Sequence, residues 1–383
     1  MDNTCDTTHS PATPDTLGKT PTYSFIIPVY NRPDEVDELL DSLTRQTVRN
    51  FEVIVVEDGS QQPCREVCDR YAGSLDLKYF WKSNSGPGQS RNYGVERARG
   101  EYMIVLDSDV VLPPGYLHAV AEELRREPSD AFGGPDRAHD SFTSTQKAIS
   151  YAMTSFFTTG GIRGGKKKLD KFYPRSFNMG IRRDVYLQLG GFSRMRFGED
   201  IDFSIRIFKA GCRCRLFPGA WVYHKRRTDF RKFWRQVYNS GIARINLYKK
   251  YPDSLKLVHL LPMAFTVGVG LLAAVMLVGL LLVLVGLMAV SSAGHQACLS
   301  GPMASVISGM ALMALGVCPL LLYALLIFLD ASVVCKSPLV GLLSIRAAFT
   351  QLMGYGCGFI EAWWKRCVRR KDEFSAYEKN FYQ

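Results

Sequence analysis

Two carboxylates two positions apart, Asp107 and Asp109, follow directly on the apolar run Tyr102-Met-Ile-Val-Leu106. An apolar run of that length, bounded by Gly100 and Pro113-Pro114, reads as a buried strand. In an extended chain residues i and i+2 point to one face, so both aspartates can converge on one ligand. Hard oxygen donors in that arrangement suit Mg2+ or Mn2+, ions that commonly arrive with phosphates. Taken alone, the stretch reads better as a polar turn after a core strand.

The elements that must position this pair can be read around it. Tyr23–Tyr30 is a strand ending at Asn31-Arg32-Pro33, and Pro33 opens a helix with an apolar stripe on Val36, Leu39, Leu40 and Leu43. Phe51–Val56 is a second strand that stops at Glu57-Asp58-Gly59-Ser60, and Leu77–Trp81 is a third after a weak helix. Gly86-Pro87-Gly88 is a loop, Gln89–Arg99 a helix, and Met103–Leu106 the next strand. Strands alternating with helices imply a Rossmann-like, mostly parallel sheet that binds ligands beyond its carboxyl ends. Three of those ends are Tyr30-Asn31, Glu57-Asp58 and Asp107–Asp109, so the acids gather on one rim. Further on, Ala131–Gly134 reads as a short strand, Gln146–Thr158 as a helix, 160–171 as a loop carrying Lys166-Lys167-Lys168, and Gly198-Glu199-Asp200 as the start of a helix. Trp221–His224 is a late strand, and Phe230–Tyr248 an aromatic and basic helix.

The 383 residues carry a formal charge of +11, but no Asp, Glu, Lys or Arg lies between His259 and Asp330. A spanning helix needs about 20 mostly apolar residues, so spans are expected over about 260–290 and 303–329. The excess of positive charge could signal nucleic acid or an anionic membrane surface; beside such spans the membrane reading is preferred, with membrane lipids as partners and no nucleic acid. A third segment, 339–359, carries Arg346 and Gln351. For the basic residues before the first span and Lys365–Lys371 to share the cytoplasmic side, the number of spans must be even, so 339–359 is expected to be re-entrant or interfacial. The organisation expected is a disordered tail over 1–20, a catalytic domain over 21–250, a membrane region over 257–359 and a basic cytoplasmic tail over 360–383. The ten cysteines form no CxxC pair and no Cys/His cluster, which fits a reduced, cytosol-facing chain.

Five stretches together resemble one family. Phe25-Ile-Ile-Pro-Val-Tyr-Asn31, Val55-Val-Glu-Asp-Gly-Ser60, Ser90-Arg-Asn-Tyr-Gly94, Leu106-Asp-Ser-Asp109 and Gly198-Glu-Asp200 occur in the order and spacing of the family 2 glycosyltransferases, over about Ser24–Tyr248. The resemblance implies a GT-A fold and transfer of a sugar from a nucleotide diphosphate, UDP- or GDP-linked, usually with inversion. It implies Asp109 as the direct metal ligand, Asp107 as a metal or ribose ligand, and Asp58 as an acceptor for a nucleobase N–H. Pro28, Tyr30 and Asn31 would wall the base and ribose, and Arg91 would lie near the nucleotide. A divalent ion can act as Lewis acid on the leaving diphosphate. An inverting transfer also needs a carboxylate to take the acceptor proton. By its place in the motif order this is Asp200, with Glu199 positioning the acceptor or a loop; helix-capping acids are the alternative for this pair.

Gln236 and Arg244 resemble a loosened QxxRW motif without its Arg-Trp dipeptide, which keeps a role near the diphosphate and argues against a processive synthase. His224 is a third candidate ligand to the metal or a structural histidine, and Lys166–Lys168 either grip an acceptor phosphate or form a solvated basic loop. The expected function is transfer to a lipid-linked saccharide at the cytoplasmic membrane in cell-surface glycan synthesis. The alternatives are direct transfer to polyprenyl phosphate and a non-catalytic nucleotide-sugar-binding scaffold.

Overall fold

The structure is a computed structural model that describes residues 21–137, 142–159, 172–195, 197–225, 228–292 and 300–372. The expected tail over 1–20, the Lys166–Lys168 loop and the last eleven residues lie outside the described residues. In chain order the first elements are β1 (Tyr23–Val29), α1 (Pro33–Thr44), β2 (Phe51–Asp58), α2 (Arg65–Tyr71), β3 (Leu77–Lys82), α3 (Pro87–Glu96), β4 (Tyr102–Leu106) and β5 (Val110–Val111). Next come α4 (Tyr116–Arg126), β6 (Ala131–Gly133), β7 (Asp136–Arg137), α5 (Ser144–Thr154) and α6 (Phe156–Thr159). They are followed by β8 (Asn178–Arg182), α7 (Arg183–Gln188), α8 (Glu199–Lys209), β9 (Cys214–Leu216) and β10 (Val222–His224). The chain ends with α9 (Phe230–Lys250), α10 (Leu261–Ser292), α11 (Ser300–Val334) and α12 (Pro338–Trp363). It divides into two compact units. The first takes the chain to Pro135, with Tyr173–Ser193 and Phe203–Val222, and the second takes Asp136–Phe172, Arg194–Asp202 and everything from Tyr223.

The first unit is built on a seven-stranded sheet in the order β3-β2-β1-β4-β8-β6-β9. β3, β2, β1 and β4 run parallel, with Val29 beside Glu57 and Ile26 beside Val105, while β8 is antiparallel to both of its neighbours. Alternate residues enter two separate cores. Phe25, Ile27, Val53, Val55, Ile104 and Leu106 face α1, α2 and α4, and Ile26, Ile54, Val56, Met103 and Val105 face α3, α7 and α8. Both faces are covered, which is why these strands read as continuous apolar runs. Each such Val, Ile or Leu contributes about 1.5–3 kcal/mol of burial. The sequence places the end of β2 at Val56; the strand in fact continues to Asp58, because β3 extends alongside it as far as Lys82.

In the second unit α10 with the turn before it (Leu257–Ser292) and α11 are long and apolar enough to cross a membrane, and most of their apolar side chains face outward. The third segment is one helix, α12. Its small residues seat it on α9: a Cβ on Gly358 would meet the Tyr238 carbonyl oxygen at 2.0 Å, and one on Gly241 of α9 would meet the Tyr355 oxygen at 2.1 Å. The helix expected over Gln146–Thr158 is interrupted. Ser155 adopts extended ψ, so α5 ends at Thr154 and the short α6 takes over.

Candidate active site

The expected rim of acids exists in the first unit, and each of its three aspartates, Asp58, Asp107 and Asp109, has a cationic partner. β4 ends at Leu106, and Asp107, Ser108 and Asp109 form a turn leading into β5. Convergence of the two aspartates is therefore the work of a tight turn and not of the i, i+2 alternation of an extended strand. Their carboxylates still offer oxygens within 4.8 Å of one another, a gap that one ion with bonds of about 2.1 Å comes close to spanning. The donors are hard oxygens, so the pair fits Mg2+ or Mn2+ by chemistry.

Arg91 is delivered by α3. Pro87 at the first helical position starts that helix after Gly86, whose φ of +89° favours glycine. A Cβ on Gly94 would meet Ile26 Cγ2 at 2.7 Å, so α3 lies close on the sheet. Asn92 holds its far side by donating to the Phe192 carbonyl (2.9 Å) and accepting from Phe192 N (2.8 Å) and the Tyr186 hydroxyl (2.6 Å). Arg91 is consequently 3% exposed, stacks its guanidinium 5.1 Å from the Phe192 ring centre and donates to Asp107 Oδ1 at 2.8 Å. It is a buried partner of the first aspartate, not a surface ion pair. Asp109 accepts from Arg32 Nη1 at 2.6 Å. Burial pulls the Arg32 pKa down, but the charge and hydrogen bond of Asp109 outweigh it and hold the guanidinium above its ordinary value.

Asp58 and Asn31 are largely committed to loops. Asp58 accepts from Lys82 Nζ and from the backbone N–H groups of Ser85 and Gly86, both at 2.9 Å, which leaves about one lone-pair direction on Oδ2. Glu57 accepts from Ser60 Oγ, Cys64 N (2.7 Å) and the Tyr79 hydroxyl (3.3 Å), so it shapes the turn after β2. Asn31 adopts φ +53°, and its side-chain oxygen accepts from the N–H groups of Gln61 (2.7 Å) and Gln62 (3.0 Å). Pro28 is buried inside β1, whereas Tyr30 is exposed at its end and is the free aromatic face of this group.

The second unit holds the other expected residues. Glu199 and Asp200 open α8, and Asp200 Oδ1 accepts from Ile201 N at 2.8 Å. Gly198 precedes them at φ +85°, and a Cβ there would touch Ala243 and Leu247 of α9 at 3.3 Å. Asp202, fully buried one turn on, accepts from Lys250 Nζ (2.6 Å) and the Tyr251 hydroxyl (2.9 Å). The start of α8 is thereby fastened to α9. Gln236 and Arg244 are half-buried on α9, and His224 ends β10.

Residues 24–190 match the sequence model of the family described as Glycosyl transferase family 2. The chain carries a family 2 glycosyltransferase domain. An uncharacterized glycosyltransferase of Haemophilus influenzae is 28% identical over 193 residues, which are 49% of this chain and 62% of that protein. The uncharacterized glycosyltransferase EpsJ of Bacillus subtilis is 32% identical over 215 residues, 54% of this chain and 61% of EpsJ. The chain thus spans about three-fifths of the length of these two relatives. The mannosyltransferase PcManGT of Pyrobaculum calidifontis, solved with GDP-Man and Mn2+, shares the fold at a TM-score of 0.51 and 16% identity, over 91% of this chain and 89% of that one. The fold is GT-A.

Sequence reasoning missed Arg32, Lys82 and Asp202. Lys82 was open to discovery: it ends β3, the strand beside β2, and so must lie near Asp58 on the rim. Arg32 follows Asn31 directly and has the charge complementary to the aspartates. Nothing local marks Asp202, whose partners are about fifty residues away.

Proposed function

We propose that the protein transfers a sugar from a nucleotide-diphospho-sugar to a saccharide acceptor carried on a lipid, with inversion, at the cytoplasmic face of the cell membrane. The observation that carries this reading is the turn Asp107-Ser108-Asp109 on the carboxyl rim of a parallel sheet, flanked by Arg91 and Arg32. The GDP-Man and Mn2+ of PcManGT support a nucleotide sugar and a divalent ion as its ligands, and two helices apolar enough to span support the membrane site and the lipid carrier.

In this reading Asp109 and Asp107 hold Mg2+ or Mn2+, with His224 as a third donor, and the ion when bound stabilises charge on the leaving diphosphate. Arg91 fixes the Asp107 carboxylate, Asp58 shapes the 83–86 loop and keeps one acceptor direction for a base N–H, and Tyr30 offers a stacking face. Gln236 and Arg244 serve the diphosphate side. Asp200 takes the proton of the acceptor hydroxyl, with Glu199 beside it.

The deciding experiment compares Asp200→Asn with the native chain over a panel of UDP- and GDP-sugars. Nucleotide binding should persist while transfer falls at least ~100-fold. Retained transfer would remove Asp200 as base and point to an acceptor that is already ionised, a polyprenyl phosphate. Absence of nucleotide binding in the native chain would overturn the reading as a whole.

A further inference from the structure

Each aspartate of the donor rim is already neutralised by a cation. Asp58 is paired with Lys82, Asp107 with Arg91 at 2.8 Å and Asp109 with Arg32 at 2.6 Å, so the formal charges of these three pairs cancel. A divalent cation approaching by itself gains little net attraction from such a surface, and two guanidinium groups repel it. On Asp109 it must also compete with Arg32 for Oδ2.

The two arginines differ in their freedom to yield. The Arg91 side chain is 3% exposed, stacked on Phe192 and carried by a helix lying close on the sheet. That of Arg32 is 30% exposed and lies in the loop between β1 and α1, with Glu35 at 3.9 Å and Asp107 as its further acidic neighbours. A guanidinium released from a carboxylate finds an equivalent planar, bidentate partner in a phosphate.

We propose that Arg32 is an exchange residue: it neutralises Asp109 in the empty protein and moves to the diphosphate when nucleotide and metal arrive together. Metal and nucleotide then bind as a linked pair, each raising the affinity of the other by the same factor. This inference rests on the donor reading above but assigns a residue and a coupling that the reading does not need.

The test is binding, not turnover. Free Mn2+ is measured by electron paramagnetic resonance over the purified full chain in detergent, with and without UDP or GDP. The native protein should bind Mn2+ weakly alone and at least about tenfold more tightly with nucleoside diphosphate, at the scale of ordinary coupling energies. In Arg32→Met, Mn2+ alone should bind about tenfold more tightly, nucleoside diphosphate with Mn2+ more weakly, and the coupling should largely vanish. Arg32→Lys, which keeps the charge and loses the fork, should fall between the two, and an unchanged thermal transition shows that both variants are folded. Equal Mn2+ affinity in Arg32→Met and the native chain, or an undiminished coupling, would overturn the exchange while leaving the donor reading intact. Failure of the native chain to bind nucleoside diphosphate with any divalent ion would bring down the donor reading itself, and the exchange with it.

Discussion

Glu52 has no exposed surface in the middle of the sheet, yet it is well supplied with donors: Ser24 Oγ at 2.7 Å, Arg99 N at 2.5 Å, Arg99 Nε at 2.9 Å and Lys78 Nζ at 3.1 Å. Burial raises its pKa, but these bonds to the charged form outweigh burial and leave it below the ordinary value. A carboxylate with a depressed folded pKa stabilises the fold above its unfolded pKa of about 4.3, and that contribution is lost as the pH falls through the folded value. Glu52→Gln should therefore be less stable than the native protein at pH 7, with the gap closing below about pH 4 in chemical denaturation curves. Asn92→Ala, which strands a buried hydroxyl and two backbone groups of the 186–192 segment, should cost about 2–3 kcal/mol and loosen Arg91. At this scale the sequence names residue types well and their partners poorly. Asp107 and Asp109 are legible from an apolar run meeting two acids. The commitment of Asp58 and Asn31 to loop N–H groups is not, because those groups lie about thirty residues away and carry no side-chain signature.

Glycines govern the packing of the apolar hairpin. Gly279 and Gly286 on α10, and Gly309 and Gly316 on α11, recur at seven-residue spacing, and a Cβ on any of them would meet backbone oxygen of the other helix at 2.6–2.8 Å. Such close approach is how helices gain attraction where lipid leaves no hydrophobic incentive to associate. Gly279→Leu should force the helices apart, lower the thermal transition in detergent and weaken cysteine cross-linking between α10 and α11; Gly268→Leu, with open space around its Cβ position, should do neither. Elements with strong periodicity were legible: the parallel strands, α1 and the two apolar helices. The antiparallel β8, the three-residue β9 and the break at Ser155 were not, since each depends on what packs beside it and short strands carry little pattern of their own.

Across the whole molecule, the residues assigned to the donor and those assigned to the acceptor fall in different units. Asp58, Arg91, Asp107 and Asp109 belong to the unit built on the sheet, while Glu199 and Asp200 belong to the unit that contains α10 and α11. If the two apolar helices are the full set of crossings and the proposed cytoplasmic orientation holds, a cytoplasm-dependent reporter should be active at both chain ends, and an export-dependent one between Ser292 and Ser300. Loss of the signal at the C-terminal end alone would mean that α12 crosses as well.

The bond from Asp202 to Lys250 and Tyr251 has a bearing on acceptor choice. It moors the start of α8, which carries the proposed proton-taking acid, to the end of α9, seven residues from Lys250 to Leu257, where a stretch long and apolar enough to cross a membrane begins. In the proposed reading that acid would stand at a set reach from the bilayer, and acceptors would be selected by that reach. On the proposed lipid-borne acceptor, a saccharide whose hydroxyl stands at that reach would be glycosylated and one longer by a sugar would overshoot, so we expect one addition per acceptor.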